Sequence, residues 1–132
     1  MILSSNLSDS VYWDAQTLPV TNLNATANNG SEGSPYFISI TATGCNANLQ
    51  IKANTDLTSG SNTLPLINEK WAYNRTESTV FNHTKTSFTT SFVTIDSGIS
   101  TRDVYFKFYL NVSANQQAGR YNNTLTFNIL QT

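Results

Sequence analysis

The run from Val104 to Leu130 restricts the fold more than any other part of the chain. From Val104 to Ser113 apolar and polar residues alternate: Val104, Phe106, Phe108, Leu110 and Val112 share one side, and Tyr105, Lys107, Tyr109, Asn111 and Ser113 the other. Successive side chains on an extended chain point to opposite faces, so this pattern demands a strand with one buried face. The device repeats with Tyr121, Leu125, Phe127 and Ile129 inward and Asn122, Thr124, Thr126 and Asn128 outward. A polar connection with Gly119 separates the runs, which predicts a long hairpin. One apolar face on such a ribbon needs a second layer to cover it.

Upstream segments have the same character. Tyr36, Ile38, Ile40 and Ala42 alternate inward, Gly44-Cys-Asn46 reads as a tight turn, and Leu49, Ile51 and Ala53 share a face, which predicts a second hairpin. Residues 28–35 and Thr55–Pro65 read as loops. Trp71-Ala-Tyr-Asn74 and Thr86–Ile95 read as strands, the latter with Phe88 and Phe92 in phase, and Asp96-Ser-Gly98 reads as a turn. No segment has a sustained 3.6-residue apolar period, and Thr, Val and Ile are spread throughout. The expected fold is all-β: an immunoglobulin-like antiparallel β-sandwich of about seven to eight strands with an extended N-terminal segment. We divide it as residues 1–18, extended, and residues 19–132, the sandwich. In residues 1–18 a count by twos puts Leu3, Leu7, Val11, Trp13 and Ala15 on one face, interrupted by Ser5 and Asp9.

Composition narrows the function. Charged residues make up 11% of the chain and the net charge is −1, so no field draws in nucleic acid or an anionic membrane. Seven Phe, six Tyr and two Trp argue for a packed core despite the abundance of Asn, Ser and Thr. No stretch reaches the ~20 apolar residues of a membrane span. No leader-like apolar run follows Met1-Ile-Leu3, so the chain is either cytosolic or a mature form with its leader removed; the low charge and abundant Asn, Ser and Thr favour the second, an extracellular chain. The single cysteine, Cys45, excludes an intramolecular disulfide and reads as a small packed side chain, the alternative being an intermolecular disulfide. Seven Asn-x-Ser/Thr sequons, at Asn6, Asn24, Asn29, Asn74, Asn82, Asn111 and Asn122, are candidate N-glycosylation sites. Roughly four would arise by chance in so Asn-, Ser- and Thr-rich a chain, but Asn111 and Asn122 sit on outward strand faces.

Catalytic and metal constellations are not expected. His83 is the only histidine, in a polar segment, so a nucleophile–histidine arrangement would have to be built around it. The acidic residues Asp9, Asp14, Glu32, Asp56, Glu69, Glu77, Asp96 and Asp103 are scattered and lack the dense spacing of a calcium loop. Zinc spacing and a phosphate-binding glycine loop are missing, and no cofactor is implied. The reading is a non-enzyme.

Two motifs carry a resemblance. Asp56-Leu-Thr-Ser-Gly60 with Asn62-Thr-Leu-Pro65, and Tyr105–Val112 followed by Gln117-Ala-Gly-Arg-Tyr-Asn-Asn-Thr-Leu-Thr-Phe127, resemble a sandwich domain of bacterial and archaeal surface proteins. Where that family has Pro before Ala-Gly, this chain has Ser113-Ala-Asn115. The resemblance extends to subunits of archaeal threads and bundling pili, in which the N-terminal strand of one subunit completes the sandwich of the next. It implies a homopolymer, with Leu3, Leu7, Val11, Trp13 and Ala15 as the donor face, joined by backbone hydrogen bonds and alternate side chains in pockets. Such a contact is heterologous and generates an open filament. The alternative within the sequence is that Val11–Ala15 is the first strand of its own sandwich. The alternative function is a cell-surface or S-layer-associated adhesion module that binds glycans on exposed aromatic residues such as Trp13 or Trp71.

Overall fold

The computed structural model describes residues 2–5, 11–25, 36–76 and 84–132. These form β1 (Ile2–Ser5), β2 (Val20–Asn24), β3 (Tyr36–Thr41), β4 (Ala47–Ala53), β5 (Leu57–Ser59), β6 (Asn62–Leu64), β7 (Glu69–Asn74), β8 (Thr86–Ser87), β9 (Val93–Ile99), β10 (Arg102–Val112) and β11 (Leu125–Gln131). Among the described residues the one helical element is a 3-10 turn at Leu66–Asn68. The class is all-β, as the alternating runs require.

Two antiparallel sheets enclose the core. The larger has six strands in the order β1-β3-β10-β7-β8, with β2 also paired to β10. Tyr105 and Phe106 pair with both β3 and β7, and Tyr109 and Leu110 with both β2 and β7, so β2 and β3 share one flank of β10. The smaller sheet has the order β11-β4-β9. A separate ribbon, β5-β6, turns at Gly60, whose φ of 61° is one that L side chains rarely adopt.

β10 is the centre of the larger sheet because its inward side is almost wholly aromatic and aliphatic. Val104, Phe106 and Phe108 are fully buried. The Phe106 and Phe108 rings stack at 5.9 Å, and Phe127 from the opposite sheet meets them edge-on at 5.3 Å and 6.4 Å. Offset and edge contacts of this kind add to the area term of burial. From the facing sheet Leu49 and Ile51 of β4 are buried against them, and Cys45 is half-buried at the rim of the same core.

The structure corrects both expected hairpins. β10 and β11 share no ladder: β11 pairs with β4 along its whole length, from Leu125↔Ala53 to Gln131↔Ala47. β3 and β4 likewise lie in different sheets, so the turn at Gly44 (φ 70°) is an arch over the edge of the core. Alternation reports which face is buried and not which strand lies alongside. The connections at 42–46 and 113–124 cross the ~10 Å between sheets instead of folding back within one.

Three smaller expectations also change. Asp96-Ser-Gly98 lies inside β9, where Gly98 (φ 66°) accompanies the register shifts between β4 and β9; positive φ serves a bulge as well as a turn. Phe92 is 40% exposed, with the Lys52 ammonium 4.6 Å from its ring centroid. The outward face of β10 is not a water face. Lys107 is only 4% exposed, Tyr109 is buried with Ala72, and the Lys85 ammonium lies 4.6 Å from the Tyr109 ring centroid. Burial lowers the Lys107 ammonium below its ordinary pKa.

Candidate functional site

The sandwich is open along one side. Among the described residues β11 is an edge strand, and its inward residues Leu125, Phe127 and Ile129 are only half-buried, whereas their partners Ala53, Ile51 and Leu49 on β4 are buried. A groove of about 1170 Å³ runs there, bounded by β11, by Leu110 and Val112 of β10, by Leu57 and Leu64 of the small ribbon, and by the N-terminal segment. Residues 11–16 lie along it but belong to no strand. Val11 and Trp13 are half-buried against the core, while Tyr12 and Asp14 face outward. The segment therefore has the alternation of a strand without the ladder.

One wall of the groove is polar and internally bonded. Glu69, the first residue of β7, is 1% exposed. It lies on the same face as Leu110, its register partner on β10. Asn123 Nδ2 donates to Glu69 Oε1 at 2.6 Å and to the Thr55 carbonyl at 3.1 Å, tying the approach to β11 onto β7 and the Thr55 loop. Burial pushes the Glu69 carboxyl up to about 7, and the Asn123 bond offsets only part of that. Beside it Gln116 Nε2 donates to the Tyr121 hydroxyl at 2.8 Å and to the Thr63 carbonyl at 3.1 Å, and that hydroxyl donates to the Gln117 carbonyl at 2.7 Å. Trp13 Nε1 is buried with no hydrogen-bond partner among the described residues.

At the far end of β7 a second polar cluster holds the two sheets together. Arg75 grips Asp96 with Nε and Nη2, each at 2.7 Å, and donates to the Ser97 carbonyl at 2.8 Å. The Tyr73 hydroxyl donates to the same carboxylate, and Arg102 donates to the Arg75 carbonyl at 2.9 Å. Burial pushes Asp96 up, but the bonds from Arg75, Tyr73 and Ser97 N outweigh it and hold the carboxyl below its usual range. Apart from Arg102 Nε, which is buried with no hydrogen-bond partner among the described residues, each of these groups has a partner, which makes this a structural clasp.

The expected donor-face residues divide. Leu3 belongs to β1, which pairs with β3 of the same chain at Leu3↔Ile40. Val11 and Trp13 reach the core, Ala15 is exposed at the groove, and Leu7 lies outside the described residues. Of the sequons, Asn6, Asn29 and Asn82 lie outside the described residues, as does His83. Asn24 and Asn122 are exposed, whereas Asn74 and Asn111 are half-buried, and Asn111 Oδ1 accepts from Asn22 N at 2.7 Å. Trp71 packs against the core, its ring 6.5 Å from that of Phe106. Among the described residues no group of three His, Cys, Asp or Glu side chains could hold a metal ion, and no helix is long and apolar enough to cross a membrane. The sequence reading missed Glu69; its only local sign is the phase it shares with Trp71 and Tyr73.

Comparison with family models, with curated proteins and with solved structures found no match for this chain.

Proposed function

We propose that the protein is a structural subunit of an extracellular filament, joined by insertion of the N-terminal segment of one copy into the sandwich of the next. The observation that supports this reading is the groove beside β11. It joins a half-buried apolar strip to a strand edge that has no second ladder among the described residues, which is what an added strand needs. Its present cover, residues 11–16, alternates from Val11 to Asp14 and has no ladder bonds, so an equivalent segment that formed the ladder would bind in its place with more hydrogen bonds. The joint is heterologous and repeats from copy to copy without closing. Carbohydrate on the exposed sequon Asn24 would leave that edge free, whereas Asn122 lines the groove itself.

Deletion of residues 1–18 tests the assignment. The truncated chain is expected to stay monomeric or to misfold under conditions in which the full chain polymerises. Fibres from the truncated chain would overturn it.

A further inference from the structure

We propose that Glu69 and Asn123 form a pH-sensitive latch on the groove: with Glu69 neutral the segment 11–18 stays seated, and with Glu69 ionised the groove takes in water and the segment leaves. The inference concerns the groove that the assembly reading uses, but it is a property of a single copy and stands or falls apart from assembly.

The geometry sets the direction. An ionised carboxylate buried without a cation must regain water or a counter-charge. Among the described residues the charged groups around Glu69 are otherwise placed. Asp56 uses its carboxylate on Leu66 N at 2.8 Å, next to the 3-10 turn that leads into β7. Lys70 and Lys107 belong to the opposite face of the sheet, as their positions in the β7–β10 register require. Lys85, beside β8, stacks on Tyr109 of that same face. Asp14 and Arg120 line the groove, and both are exposed to solvent. The shift of Glu69 traces to burial, opposed by Asn123.

Water reaches Glu69 by the least-bonded side. β7 is held by six paired residues of β10. Asn123 is anchored a second time at the Thr55 carbonyl, and its neighbour Asn122 exchanges backbone bonds with Thr58 at 2.9 Å and 3.1 Å. Residues 11–16 have no ladder and rest on side-chain packing, chiefly that of Val11 and Trp13. They are the part that gives way. The same displacement frees the strip along β11, so raising the pH exposes the edge.

Trp13 is a built-in reporter. In a Trp71→Phe background its emission is expected to shift to the red as pH rises from 5 to 9, with a midpoint near the Glu69 value of about 7. Glu69→Gln, which keeps the shape and stays neutral, is expected to hold the emission blue throughout. Amide exchange of residues 11–16 in the unsubstituted chain supplies the second reading, with exchange, corrected for its intrinsic pH dependence, at least ten-fold faster at pH 9 than at pH 5. Emission and corrected exchange that do not change with pH would overturn the proposal, as would a red shift of the same midpoint in Glu69→Gln.

Discussion

At the scale of single residues, two carboxylates carry opposite pH signatures. Glu69 is raised from 4.5 to about 7, so between those values the folded chain binds more protons than the unfolded chain. Stability therefore falls as pH rises through that window, by on the order of 3 kcal/mol at about 1.4 kcal/mol per pH unit. Chemical denaturation at pH 5 and pH 8 is expected to show the fall in the unsubstituted chain and its loss in Glu69→Gln, which should be the more stable protein at pH 8. Asp96 is depressed, so its contribution is present above the ordinary carboxylate range and is lost as pH falls through its folded value. Asp96→Asn breaks the grip of Arg75 and is expected to cost roughly 1–3 kcal/mol at pH 7, read as a lower denaturation midpoint with an unchanged slope. Neither role was legible in the sequence. The acidic residues are scattered along it, and what separates Glu69 from Asp56 is which of them a neighbouring sheet covers. Burial by distant residues leaves no local mark beyond the phase that Glu69 shares with Trp71 and Tyr73.

At the scale of elements, the phase of the strands was legible and their partners were not. The inward sets Tyr36–Ala42, Leu49–Ala53 and Val104–Val112 are buried as their alternation requires. Both expected hairpins proved to be crossings between sheets, because a turn former fixes local backbone shape and leaves open whether the chain returns in the same layer. The two outer edges of the small sheet differ in features that the proposed joint would depend on. β9 is broken by two register shifts and carries Asp96 and Gly98, features that blunt an edge. β11 keeps an unbroken register and carries no charge and no proline. Leu130 is on its outer face, paired with Asn48 and 45% exposed. Leu130→Lys is expected to leave monomer stability within about 0.5 kcal/mol and to slow fibre growth, as followed by light scattering. Unchanged growth would move the joint away from β11.

At the scale of the whole molecule, the proposed joint would use two features together: the half-buried strip along β11, and residues 11–16, which alternate over Val11–Asp14 and have no ladder. The sequence carried half of this, since Val11 and Trp13 are in phase and both reach the core. It did not carry the pairing of β1 with β3 in the same chain, nor the groove, which arises only where β10, β11 and the small ribbon diverge. Electron microscopy of the concentrated full-length chain, beside the chain lacking residues 1–18 with and without a synthetic peptide of those residues, tests the central claim most directly. The account predicts filaments from the full chain, none from the truncated chain, and a soluble one-to-one complex when the peptide is supplied. Filaments from the truncated chain, or a full-length chain that stays monomeric at every concentration, would contradict it.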